Sequence, residues 1–260
     1  MYMYSFLLPA TLIFVNGIIR QGVGISFIFL ALAFLHERKW LFMAIAVIIA
    51  INMHTTTIVL FATMIGLYFV LKKPIHYLIS IPLLLFFTFI FDVGKITFLS
   101  DFLSNNLTFD IGFQHYLDNS DRWFGEDAML DIYSQTTRTK IVMSLFNITI
   151  FYLGYNALKI RENKQVMYVY NTVVLGIILF NAVYLFELLR RFVQPMEMLF
   201  FIPLGYILYV YFKDCKQPQN QETKFFKKCF FVGLLFIAWR LQNWRHFLLY
   251  NPNADFFWNH

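Results

Sequence analysis

The chain reads as a series of apolar runs separated by short charged turns. A membrane-spanning helix needs roughly 20 apolar residues, with about 17 as a lower bound. On that pattern helical spans are expected at 3–17, 21–35, 40–53, 55–71, 75–91, 141–158, 166–186, 192–212 and 226–241. The expected fold is all-α: a polytopic integral membrane helical bundle of about nine spans, forming one domain over residues 1–260. The first four runs are short, which points to tilted, broken or re-entrant pieces. Irregular backbone at membrane depth is tolerated only where it is buried in protein or lines a cavity, so such breaks are where polar sites are expected. Pro9, Pro74, Pro82, Pro195 and Pro203 fall in or near these runs and kink or start helices there. Two polar stretches stand apart, an extended loop at 92–140 and a Lys-rich linker at 213–228.

Composition agrees with a bilayer protein. Only 14% of residues are charged and 59% are hydrophobic, against about 25% charged in soluble domains. The apolar opening lacks the basic start and small-residue cleavage site of a signal peptide. Cys215 and Cys229 have neither metal nor redox-motif spacing and read as reduced thiols. The excess of basic residues points to membrane sidedness, and no nucleic acid is expected.

The charge pattern orients the chain. With 36–39, 72–73, 159–164 and 213–228 in the cytoplasm, that face carries ten Lys and two Arg against four acids. This arrangement requires 40–71 to cross out and back, with its turn near His54. The loop 92–140 and the C-terminal tail then lie outside the cytoplasm. A second asymmetry follows: the outer basic residues are seven Arg (Arg20, Arg122, Arg138, Arg190, Arg191, Arg240 and Arg245) and only two Lys. The positive-inside rule does not distinguish Arg from Lys. Guanidinium is less strongly hydrated and grips phosphate or carboxylate through two parallel hydrogen bonds. Arginines at the outer helix ends therefore point to an anionic group near the outer leaflet, against the plainer reading of headgroup anchoring.

Three places carry candidate chemistry. Arg20 sits among apolar residues, where an ionisable group is costly unless it faces water or a partner. His54 precedes Thr55, Thr56 and Thr57. It is either a helix-end hydrogen bonder in a turn satisfied by threonine hydroxyls, or a base at the floor of an outward cavity. The loop segment QHYLDNSDRWFGEDAMLD, 114–131, interleaves Asp118, Asp121, Glu126, Asp127 and Asp131 with His115, Tyr116, Trp123 and Phe124. Aromatic faces beside carboxylates suit sugars, because rings stack on C–H faces while carboxylates accept from hydroxyls. His115, Asp118 and Asp121 are also donors for a hard cation, at a spacing that is weak evidence for one. The plain alternative is a solvated acidic loop. Near the second arginine cluster, Glu187 lies three and four residues before Arg190 and Arg191, so an ion pair within one helix leaves one arginine over.

The run IIRQGVGISF, the basic turn HERK and the run AIAVIIAINMHTTTIVL together resemble the EpsG family of membrane polysaccharide polymerases, relatives of the Wzy O-antigen polymerases. Arg20 and His54 match the family's arginine and histidine positions, and YLFELLRRFVQPMEMLFFIP is similar to its second arginine-bearing span, with Arg191 or Arg190 the match. Typical members carry further spans before the arginine helix, so a C-terminal portion or a shortened member is expected. The resemblance implies transfer of a growing glycan from a polyprenyl-diphosphate-linked donor on the extracytoplasmic face of a bacterial inner membrane. Its expected companions are membrane lipid and other polysaccharide-assembly proteins. Catalytic roles then fall to His54, Asp118 and Asp121, and substrate binding to Arg20, Arg190, Arg191, Arg122 and Trp123. Neither a nucleotide-sugar nor a metal motif is visible, so no cofactor is expected. The alternatives are a lipid-linked oligosaccharide flippase, with polar residues through the depth of many helices, a membrane acyltransferase with an inner histidine site, and a non-catalytic subunit.

Overall fold

The computed structural model describes residues 19–54, 57–91, 137–183, 187–215 and 221–250, with positions 19–21, 187–191 and 240–250 described as helix only. These residues form helices, with no strand among them. In chain order they are α1 (Ile19–His36), α2 (Trp40–Met53), α3 (Thr57–Val70), α4 (Tyr77–Leu85), α5 (Thr137–Ile160), α6 (Lys164–Val183), α7 (Glu187–Met198), α8 (Phe201–Val210) and α9 (Gln221–Tyr250). One wide π-helical turn extends α4 over Phe86–Ile90, and another extends α8 over Tyr211–Cys215.

Most expected spans are recovered within a few residues, but fewer have spanning length. Thr137–Ile160, Lys164–Val183 and Phe192–Cys215 are long and apolar enough to cross a bilayer, while Gly22–His36, Trp40–Met53, Thr57–Val70 and Tyr77–Ile90 are shorter. The expected span 3–17 lies outside the described residues. The loop expected at 92–140 ends earlier than the charge pattern implied, because Thr137–Lys140 already form the first turn of α5. The span expected at 192–212 is divided by a turn at Leu199–Phe200. The segment before that turn is α7, a polar and strongly amphipathic helix, and α8 is apolar throughout.

Burial explains the packing. Leu41, Ile48, Val70, Leu78, Ile90 and Leu235 are exposed large hydrophobics, as expected of helix faces that meet lipid rather than water. The interior centres on α5 and α6, with Ile150, Phe151, Leu153, Tyr170, Val173 and Ile177 fully or almost fully buried. Glycines let the neighbouring helices come close. A Cβ at Gly154 would stand 2.7 Å from the Tyr170 ring, one at Gly233 would stand 2.7 Å from Thr149 Cγ2, and one at Gly176 would stand 2.6 Å from Met196 Cβ. Thus α5 meets α6 at Gly154, α9 meets α5 at Gly233, and α7 meets α6 at Gly176.

Polar side chains stitch one end of this bundle. Asn171 of α6 accepts from Ile75 N (2.8 Å) and donates to Lys73 O (2.8 Å), holding the α3–α4 junction. Tyr170 Oη donates towards Phe151 O (2.8 Å) and Ile75 O (3.2 Å), and Tyr168 Oη donates to Met64 O (2.8 Å). Arg161 forms a two-pronged pair with Asp214, both contacts at 2.9 Å, and its backbone oxygen accepts from Tyr206 Oη at 2.6 Å. The Asp214 carboxylate holds the Arg161 guanidinium further into its charged form than usual. Lys159 pairs with Glu222 at 2.7 Å. The loops 72–73, 159–164 and 213–228, placed on one face by the charge pattern, therefore meet at one Lys-rich end of the bundle. The HERK turn closes the α1–α2 hairpin, with Arg38 at φ 59° and Lys39 paired to Glu37 at 2.7 Å. That ammonium, as a hydrogen-bond donor and a nearby charge, lowers the Glu37 carboxyl below its usual range.

Candidate functional site

The break between α2 and α3 is the feature around which the candidate residues can be placed. His54 caps α2 with an extended backbone (φ −158°, ψ 117°), and its N–H donates to Ala50 O at 3.0 Å. Its carbonyl accepts twice from Thr57, from the backbone N–H at 3.0 Å and from Oγ1 at 2.7 Å. This is the threonine-satisfied turn expected from the run His54–Thr57, although only Thr57 of the three threonines lies in the described residues. The His54 side chain is half-buried.

The depth of this break follows from helix length. With 14 residues, α3 rises about 21 Å, and its C-terminal end runs into Lys72 and Lys73 at the Lys-rich end, where Asn171 holds Lys73 O. A bilayer core is about 30 Å thick. The break at His54 thus lies about 21 Å along α3 from the Lys-rich end, a shorter distance than that thickness. The turn at Leu199–Phe200 lies at a comparable height, since the adjacent Met196 packs on Gly176, twelve residues or about 18 Å along α6. α3 touches α7 as well as α1, so the two interrupted helices are neighbours.

Arg20 occupies the first turn of α1, one turn before Gly24. Gly24 in turn is packed against the break: a Cβ there would stand 2.9 Å from Thr57 Cγ2, 3.2 Å from Ala50 O and 3.6 Å from Met53 Cβ. The helix position of Arg20 is thereby brought to the end of α2 and the start of α3, near His54. Arg190 and Arg191 lie in α7, two turns or less before Met196, on the side of the Leu199–Phe200 turn away from the Lys-rich end. Glu187 precedes them in the same helix at the three- and four-residue spacing noted above. Asp118, Asp121, Arg122 and Trp123 fall outside the described residues, as do the other residues of the acidic loop.

Sequence reasoning missed Gly24 and Thr57 as a contact. The signal was present in RQGVG, where a glycine four residues after an arginine shares its helix face. It also missed Asn181, whose amide oxygen accepts from Thr88 Oγ1 at 3.3 Å and joins α6 to the π-helical turn after α4.

No curated protein and no solved structure matches the chain. A family model does: the one described as the EpsG family matches residues 1–251. That match spans nearly the whole chain, apolar helices of spanning length included, and the chain belongs to the EpsG family.

Proposed function

We propose that this protein polymerises exopolysaccharide, capsule or O-antigen-type repeat units by glycosyl transfer from a polyprenyl-diphosphate-linked donor on the extracytoplasmic side of the bacterial inner membrane. Family membership supports a polymerase-type role, and one structural observation carries the reading further. One turn after Arg20, Gly24 of α1 packs against the ends of α2 and α3 that flank the break at His54, and the second arginine pair precedes another break at a similar distance from the Lys-rich end. The reaction asks for such an arrangement. An acceptor hydroxyl attacks the anomeric carbon of the donor glycan, the bond from that carbon to the diphosphate oxygen breaks, and the lipid diphosphate leaves with the electron pair. Arg20 and Arg191, with Arg190 beside it, stabilise that developing charge through preorganised donors in a low-dielectric site. The acceptor proton passes to His54 or to Asp118 or Asp121 of the acidic loop, a transfer worth typically 10²–10⁴-fold in rate. Trp123 and Arg122 contribute a stacking face and a further cation to the sugar chain.

The decisive experiment separates two-pronged grip from simple anchoring. Arg20 and Arg191 are replaced singly by Ala and by Lys, and expression-matched variants are scored by polymer length. Losing a charged hydrogen bond costs about 1.5–3 kcal/mol, roughly ten- to a hundredfold in rate when the bond acts in the transition state. The Lys variants are expected to be nearly as impaired as the Ala variants, because a point charge cannot reproduce two parallel bonds. Wild-type polymer from both Lys variants would return these arginines to headgroup anchoring.

A further inference from the structure

The contact between Gly24 and Thr57 connects the two candidate centres and belongs to neither. Thr57 is buried, 1% exposed, yet its hydroxyl is turned to His54 O at 2.7 Å, while its Cγ2 faces Gly24. One side chain thus holds the histidine carbonyl with its oxygen and receives α1 against its methyl. On the α1 side there is no room for a Cβ, with Thr57 Cγ2 at 2.9 Å and Ala50 O at 3.2 Å from where it would stand. Gly66, by contrast, has nothing within 4 Å of its Cβ position. Arg20 precedes Gly24 by four residues, hence by one turn on the same helix face. The separation of Arg20 from His54 is therefore set by how closely α1 approaches at Gly24.

We infer that Gly24 and Thr57 are positioning residues for the proposed transfer, a spacer that fixes the arginine turn of α1 relative to the break at His54. This inference rests on the glycosyl-transfer reading given above. Its consequence is specific to geometry: Gly24→Ala raises intrinsic helix propensity, so it need not unfold α1, but its methyl must displace Thr57. To reach ordinary contact from 2.9 Å the two helices move apart by about half an ångström or more. A displacement of about 1 Å at a reacting centre costs on the order of 10²-fold, so roughly tenfold is expected here.

The test uses the full-length protein in proteoliposomes with a defined lipid-linked repeat unit, and reads kcat, KM for the donor and melting temperature together. Gly24→Ala is expected to lose about tenfold in kcat, with a smaller change in KM and a melting temperature lowered by a few degrees at most. Adding Thr57→Ser removes Cγ2 while keeping the hydroxyl on His54 O, so the double variant regains most of the lost kcat, measured against Thr57→Ser alone. Wild-type kcat in Gly24→Ala overturns the inference. So does a loss that only tracks melting temperature, or a double variant no better than the single one. Should Gly24→Ala fail to fold, Thr57→Val keeps the shape and removes the hydroxyl, and wild-type kcat in that variant overturns it equally. Arg20→Ala and His54→Ala are measured alongside. If both are inactive while Gly24→Ala is wild-type, the spacer alone fails; if both are fully active, the glycosyl-transfer reading fails and takes the spacer with it.

Discussion

Asn171 offers the sharpest stability prediction, because its two hydrogen bonds reach a segment nearly a hundred residues away. Replacing it by Ala strands Ile75 N–H, which is half-buried, and frees Lys73 O, which water at the exposed Lys73 can satisfy. One buried donor without a partner costs about 1–3 kcal/mol, and the fully buried Asn171 side chain also leaves a small void. The total is about 2–3 kcal/mol. At roughly 2–4 °C per kcal/mol for a chain of this size, melting falls by about 4–12 °C. Asn163→Ala is the internal standard: that amide caps α6, accepting from Gln165 N at 3.0 Å and Val166 N at 3.1 Å. A lost cap costs about 1 kcal/mol, hence about 2–4 °C. Both variants are compared with wild type by intrinsic-fluorescence melting in one detergent. An Asn171→Ala protein that melts with wild type, or above Asn163→Ala, would refute the claim that this amide holds the α3–α4 junction to α6.

Further outcomes follow from other contacts. Lys159→Ala should leave the melting temperature within about 1–2 °C, since both partners of its pair are more than half exposed and such pairs contribute little. Arg161→Lys should lower the melting temperature more than Lys159→Ala does, because the two-pronged contact to Asp214 becomes a single one, and the same melts check the order. Gly154→Ala should lower the melting temperature, as its methyl meets the Tyr170 ring at 2.7 Å; a smaller loss from the same substitution in a Tyr170→Leu background would confirm the cause. Single cysteines at Lys164 and Arg138, in a background lacking Cys215 and Cys229, should label from opposite sides of the membrane. Labelling of both by an impermeant reagent in intact cells would overturn the placement of the Lys-rich end. Amide replacement of Asp118 and Asp121 should lower turnover more than donor binding if one of them takes the acceptor proton, and full polymer from both would leave that role to His54.

Much of the fold was legible because apolar length and charged punctuation act locally. The runs at 40–53 and 141–158 needed no knowledge of their neighbours to be recognised as helices. The charge pattern likewise placed four loops on one face, and the pairs Lys159–Glu222 and Arg161–Asp214 realise the meeting of two of them, 159–164 and 213–228. The break in 192–212 was less visible, because apolar content continues through Leu199 and Phe200 while the change lies in the polar face of α7. Tertiary approach was not legible at all. That Gly24 faces Thr57, or that Asn171 answers Ile75, depends on which helices become neighbours, and hydrophobic periodicity is silent on partners when helices are oily on every side. His54 shows the boundary well: its place at a turn followed from HTTT, but its distance from the Lys-rich end required the length of α3 and the bond from Asn171 to Lys73 O.

The long reach of Asn171 also sets a waiting time during synthesis. The donor Ile75 N–H and its acceptor are separated by 96 residues, which a ribosome adds in roughly 5–20 s at 5–20 residues per second. Throughout that interval α3 and α4 have emerged while α6 has not, and the backbone of the Lys73–Ile75 joint has nothing from α6 to bond. In hydrocarbon such bare groups would each cost several kcal/mol, enough to misroute a helix pair as short as this one. The joint instead lies beside Lys72 and Lys73, at a Lys-rich rim where water can serve as a temporary partner. Its position makes the early helices safe to insert before the clasp that finally secures them exists.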